Sequence, residues 1–123
     1  MNVKKYVESV LKTKSPHYSP ENVHPDLVHA VLGLVTESAE LADIIKRAYF
    51  YGKGPESVDK DHIVEEFSDI CYYLALGLNI MGTSFEEVMD MNISKLKKRY
   101  PDGFSTDKAF NRNLELEKEV FKK

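Results

Sequence analysis

At 123 residues the chain is long enough for one modest hydrophobic core and too short for two. Hydrophobic residues at 42% with charged residues at 30% exclude a disordered chain, and a formal net charge of -3, from 17 basic and 20 acidic residues, disfavours a stable nucleic-acid partner. A single cysteine, Cys71, excludes an internal disulfide and reads as a small buried thiol of a cytoplasmic protein, while the charged, amphipathic stretch from Met1 to Lys14 indicates neither a signal peptide nor a membrane span.

Val3, Tyr6, Val7, Val10 and Leu11 share one helical face, so a short first helix is expected to end before Ser15-Pro16. Pro16, Pro20 and Pro25 stiffen the connector that follows, and Pro25-Asp26 suits the first turn of a new helix. From Asp26 to about Ala48 the apolar stripe of Leu27, Val31, Leu34, Leu41 and Ile45 predicts a core helix, broken at Tyr51-Gly52-Lys53-Gly54-Pro55. A second long helix is expected from about Asp61 to Met81, with Ile63, Phe67, Ile70, Leu74 and Met81 on its buried face. Gly82-Thr83 closes it. Ser84 and Glu87 have the spacing of a capping box, which starts a third helix running to about Tyr100. Pro101-Asp102-Gly103 stops that one, and residues 107–123 read as a charged tail helix using Phe110, Leu114 and Phe121. No sustained period-two alternation appears, so the fold class expected is all-α, a single domain over residues 1–123 resembling a four-helix bundle, with a short N-terminal helix and a C-terminal tail helix.

Two acid pairs lie inside the long helices: Glu37 with Glu40, and Glu66 with Asp69. A spacing of three places both members of a pair on one helical face. At about 100 degrees per residue, Glu37 and Glu40 share a stripe with Ala30, Gly33 and Ile44, and Glu66 and Asp69 share one with Tyr73, Leu76 and Ile80. In an antiparallel hairpin the first pair would lie roughly 14 Å before its helix end and the second roughly 10 Å after its helix start, levels that agree within about one turn. Carboxylates gathered in this way need protonation or cations. An all-oxygen set suits a hard divalent ion, Mg²⁺ with Mn²⁺ or Ca²⁺ as alternatives, and magnesium held so recruits phosphates. On the third helix Asn92, Lys95 and Arg99 follow Val88 on one stripe and supply the charge-assisted hydrogen bonds that phosphate oxygens require.

The segments Gly33-Leu34-Val35-Thr36-Glu37-Ser38-Ala39-Glu40-Leu41, Glu65-Glu66-Phe67-Ser68-Asp69 and Asn92-Ile93-Ser94-Lys95-Leu96-Lys97-Lys98-Arg99-Tyr100-Pro101 resemble, in order, the three motifs of the MazG-like, all-α nucleoside triphosphate pyrophosphatases, over about residues 27–104. The family's first motif often opens on two adjacent glutamates, and Thr36 stands at the first of those places. The resemblance implies a bundle in which Glu37, Glu40, Glu66 and Asp69 hold Mg²⁺ and serve catalysis. It also implies a water that attacks the α-phosphorus of a nucleoside triphosphate to leave a monophosphate and pyrophosphate, and a homo-oligomer, dimer or tetramer. By the same resemblance Tyr73 is similar to a tyrosine near the sugar, although an aromatic at this spacing more often packs in the core.

Three functions compete at this level: a nucleotide pyrophosphohydrolase that cleanses the nucleotide pool, a phosphoribosyl-ATP pyrophosphatase or dUTPase-like relative, and a non-enzymatic helical interaction module stabilised by metal. Among His17, His24, His29 and His62, none forms a Glu-x-x-His pair within the long core helices, so di-iron chemistry is not expected.

Overall fold

A computed structural model describes residues 2–122, and its elements follow from local chemistry at each helix end. Helix α1, Val3–Thr13, begins where the Asn2 side chain accepts from the Lys5 amide at 2.9 Å, and it ends before Ser15-Pro16 as expected. Helix α2, Pro25–Tyr51, starts on a proline, which loses nothing at the first helical position, with the His24 ring accepting from the Asp26 amide. It runs three residues past Ala48, through the aromatic Tyr49-Phe50-Tyr51, and stops at Gly52. Helix α3, Lys60–Ile80, is capped by Asp59. It closes in a Schellman arrangement, in which Thr83 N–H donates to Leu78 C=O and Gly82 N–H to Asn79 C=O, with Gly82 at φ 66°. Helix α4, Phe85–Arg99, opens on the expected capping box of Ser84 and Glu87.

The tail differs from the continuous helix expected over residues 107–123. Helix α5, Thr106–Phe110, and helix α6, Leu114–Lys118, are separate, and a 3₁₀ turn follows at Glu119–Phe121. The reason is local: Asn111 takes non-helical angles, and the Asn113 side chain caps a new helix by accepting from the Leu116 amide at 3.1 Å. Lys123, the end of the expected tail helix, and Met1 lie outside the described residues.

The fold is all-α, with no strand among the described residues. Its main packing joins α2 to α3. Gly33 meets Tyr73 and Gly77 faces Ala30, so numbers fall along one helix as they rise along the other, and the pair is an antiparallel hairpin, the arrangement under which the two acid pairs come level. Helix α4 makes its main contacts with α6 and the 3₁₀ turn.

A helix packed on one neighbour buries one stripe, and the other apolar stripes of α2 and α3 stay open within a single chain. Phe67 and Met81, expected on the buried face of α3, are therefore exposed, as are Val31 and Ile45 of α2. Cys71, expected to be buried, is exposed as well. It lies five residues from Glu66, about 140 degrees around α3 from the stripe that meets α2. No residue of α1 is buried.

Candidate metal centre

The stripe that α2 turns toward α3 is built of small residues. Ala30 and Gly33 are buried, and a Cβ placed on Gly33 would lie 2.2 Å from Cδ1 of Tyr73, so the ring sits directly on the glycine backbone. One turn further along α2 the same stripe carries Glu37, and three residues beyond it Glu40. Across the hairpin Glu66 comes up from α3. Carboxylate oxygens of Glu37, Glu40 and Glu66 all lie within 4.8 Å of one another.

Burial differs among the four acids singled out from sequence. Glu66 is 3% exposed, Glu37 is half-buried, and Glu40 and Asp69 are exposed in the single chain. Asp69 stands outside the close group of three, although its charge reaches Glu66. Burial pushes the Glu66 carboxyl above the ordinary range, and the negative charges of Glu40, Glu37 and Asp69 push it the same way, against the opposing influence of His62.

Glu66 shows directly what the group lacks. Its Oε1 lies 3.0 Å from Nε2 of His62, while its Oε2 is buried with no hydrogen-bond partner. An unpartnered buried carboxylate oxygen is costly, and a cation placed among the three side chains would satisfy it and offset their mutual repulsion. Oxygen-only donors fit a hard divalent ion. The residues present therefore fit a divalent metal.

His62 was not among the residues singled out from sequence, yet its i to i+4 relation to Glu66 on one helix is a spacing that could have found it. It also lines a cavity of about 410 Å³ beside the cluster, together with Glu40, Asp43, Arg47 and Ser57. Asp43 there is held below the usual carboxylate range by hydrogen bonds from Lys46 and Arg47. Thr36 puts its hydroxyl 3.0 Å from the Gly33 carbonyl and 3.3 Å from Oε1 of Glu37.

The stripe on α4 is turned to another neighbour. Arg99 donates through Nε and Nη2 to the two carboxylate oxygens of Glu117, at 2.8 and 2.6 Å. Lys95 Nζ stands 6.0 Å from the centre of the Phe121 ring, and Asn92 is exposed. Partners 18 residues or more away in sequence gave no periodic signal by which they could have been anticipated. Tyr73 is half-buried, against Gly33 and edge-on to His29 at 5.4 Å, which is the packing role expected of an aromatic at this spacing.

No helix is long and apolar enough to cross a membrane among the described residues. A family model described as MazG nucleotide pyrophosphohydrolase domain matches residues 28–104, more than half of the chain and including every residue of the acid cluster. No curated protein and no solved structure gives a significant match.

Proposed function

The chain belongs to the MazG nucleotide pyrophosphohydrolase family, and from that premise we propose that it hydrolyses a nucleoside or deoxynucleoside triphosphate to the monophosphate and pyrophosphate in a Mg²⁺-dependent reaction, as a cytoplasmic enzyme of nucleotide-pool cleansing. The observation that carries this reading is the convergence of Glu37, Glu40 and Glu66 with one buried oxygen of Glu66 left unpartnered.

Glu37, Glu40 and Glu66 would hold the ion, with Asp69 completing the acidic wall from the next turn of α3. Mg²⁺ bound there would supply charge neutralisation for the phosphates and a lowered pKa for water. In the balanced reaction the water oxygen bonds to the α-phosphorus, the bond from that phosphorus to the α–β bridging oxygen breaks, and pyrophosphate leaves. A carboxylate of the cluster takes the proton released by the water. Asn92, Lys95 and Arg99 are the side chains we assign to the substrate phosphates, a role in which Arg99 would have to be shared with or released from Glu117, and Tyr73 the one assigned to the sugar.

A homo-oligomer belongs to the same reading. Val31, Leu32 and Val35 on α2, Val64 on α3, and Met89 and Ile93 on α4 are large apolar side chains that one chain leaves exposed. A second copy of the chain would cover them and bring further elements beside the acids. Sedimentation velocity should return a dimer or tetramer; a monomer at micromolar concentration would remove this part of the proposal.

The activity is tested by incubating the protein with a panel of canonical and modified triphosphates, dUTP and phosphoribosyl-ATP, with Mg²⁺ or with EDTA, and measuring pyrophosphate. Release from at least one triphosphate that EDTA abolishes is expected. Silence across the whole panel would defeat the reading, and release from phosphoribosyl-ATP alone would move it to that relative.

A further inference from the structure

The C-terminal third of the chain builds a polar site of its own. Where the end of α4 meets α5 and α6 there is a cavity of about 200 Å³, and four cations, Lys98, Arg99, Lys108 and Arg112, line it against one carboxylate, Glu117. Glu117 is 4% exposed and is gripped twice. Arg99 holds it through Nε and Nη2, and Arg112 donates through Nε at 3.3 Å and Nη2 at 2.6 Å.

The balance of charge around this cavity is uneven. One carboxylate carries two guanidinium groups and leaves a positive charge over. Lys108 has Asp102 as its ion-pair partner, at a loose 3.8 Å. Lys98 reaches the Leu116 carbonyl at 3.3 Å and Glu119 at 3.2 Å, and neither Asp102 nor Glu119 lines the cavity. Three carboxylates thus partner four cations, and the one positive charge left over is what an entering anion would offset. The two guanidinium groups are already fixed by Glu117, so little side-chain freedom remains to be lost when one enters. The Nε and Nη2 forks of both guanidinium groups are taken by Glu117, and the remaining guanidinium N–H groups, flanked by two ammonium groups, are the donors that the several oxygens of a tetrahedral dianion would meet.

We propose that the cavity between Arg99, Arg112, Lys98 and Lys108 is a binding site for a phosphoryl anion, distinct from the carboxylate cluster. It meets the proposed hydrolysis only through Arg99 and stands without it. Two sources share this chemistry: a free inorganic phosphate or pyrophosphate, and the phosphate chain of a nucleotide.

Isothermal titration of the full chain in EDTA, with inorganic phosphate, pyrophosphate and ATP in separate arms, tests the proposal with the metal centre silent. One saturable equivalent per chain is expected for at least one of the three. Lys108→Gln and Arg112→Gln should each weaken it by about tenfold or more, as loss of a charge-assisted contact requires. ATP binding no tighter than pyrophosphate would identify the free anion as ligand, and ATP binding at least about tenfold tighter would identify the nucleotide. Because Arg112 also braces Glu117, Lys108→Gln, which gives up only a loose ion pair with exposed Asp102, keeps the test valid should the arginine variant unfold. Absence of saturable binding in all three arms, or binding indifferent to Lys108→Gln, overturns the site, while pyrophosphate release with Mg²⁺ is read separately and reports on the hydrolysis alone.

Discussion

Gly33→Ala tests the close approach on which the acid cluster depends. An added Cβ would stand 2.2, 2.3 and 2.4 Å from Cδ1, Cε1 and Cγ of Tyr73, where carbon atoms ordinarily settle at about 3.5–4.0 Å. Because Cγ is the root of the ring, rotating the ring about its own axis gives no relief. Retreat by a change at χ1 is hindered by His29, whose ring lies edge-on at 5.4 Å. Either Tyr73 leaves its rotamer or α2 and α3 move apart. Overpacking of this kind costs about 1–3 kcal/mol, and so deep an overlap belongs at the upper end, about 3 kcal/mol. Against it, alanine in a helix interior gains about 1 kcal/mol over glycine. The expected net loss is about 2 kcal/mol, or on the order of 8 °C in Tm for a domain of this size. Urea unfolding at one fixed protein concentration measures it, since assembly would otherwise shift the midpoint. In a Tyr73→Ala background, which removes Cγ together with the ring, Gly33→Ala should cost little or nothing. The sign decides the matter: were Gly33→Ala to raise the midpoint, propensity alone would be acting and the ring would not rest on this glycine. Glu37 lies about 6 Å further along the same stripe, so the variant should also bind Mg²⁺ more weakly.

Glu66→Gln should leave the metal-free protein folded, because it removes one of the mutually repelling charges. It should also abolish the rise in Tm on adding Mg²⁺ and lower pyrophosphate release by at least about 100-fold, beyond the 10–100-fold typical of residues that only support metal ligands; an unchanged Mg²⁺ response would remove Glu66 from the centre. Since the Glu66 carboxyl is raised above its usual 4.5 in the fold, the native state holds a proton there that the unfolded state has released. Metal-free stability should therefore fall as pH rises through and above that value, and Mg²⁺ affinity measured by calorimetry should rise over the same window; a flat affinity profile counts against the assignment. Glu117 behaves oppositely. Hydrogen bonds from Arg99 and then Arg112 depress it to about 2, so its contribution is complete above the usual 4.5 and is lost as pH falls toward 2. Hydrogen exchange should show α6 opening between those values before α2 and α3 do, and simultaneous loss of all three would contradict this.

The two long helices and their phases were legible in the sequence because they rest on local rules, whereas their antiparallel pairing was a supposition under which the two acid pairs come level. Ser84 and Glu87 announce a capping box, Gly82 a helix end, and a spacing of three sets Glu37 beside Glu40 whatever the rest of the chain does. The His62–Glu66 relation was equally local and would have yielded to the same rule. The tail was less legible, since Asn113 serves either inside a helix or as the cap of a new one, and the choice was made where Glu117 docks between Arg99 and Arg112.

What the sequence determined by itself was periodicity: which side chains share a stripe, and that the stripe bearing the acids is the one lined with Ala30 and Gly33. Only the tertiary structure decided which stripes find a partner within one chain, leaving Phe67, Met81 and Cys71 exposed, drawing Glu66 in with Glu37 and Glu40, and turning Arg99 toward Glu117. The physical reason is that helical phase is fixed by backbone geometry over a few residues, whereas burial and ion pairing depend on which distant surface arrives.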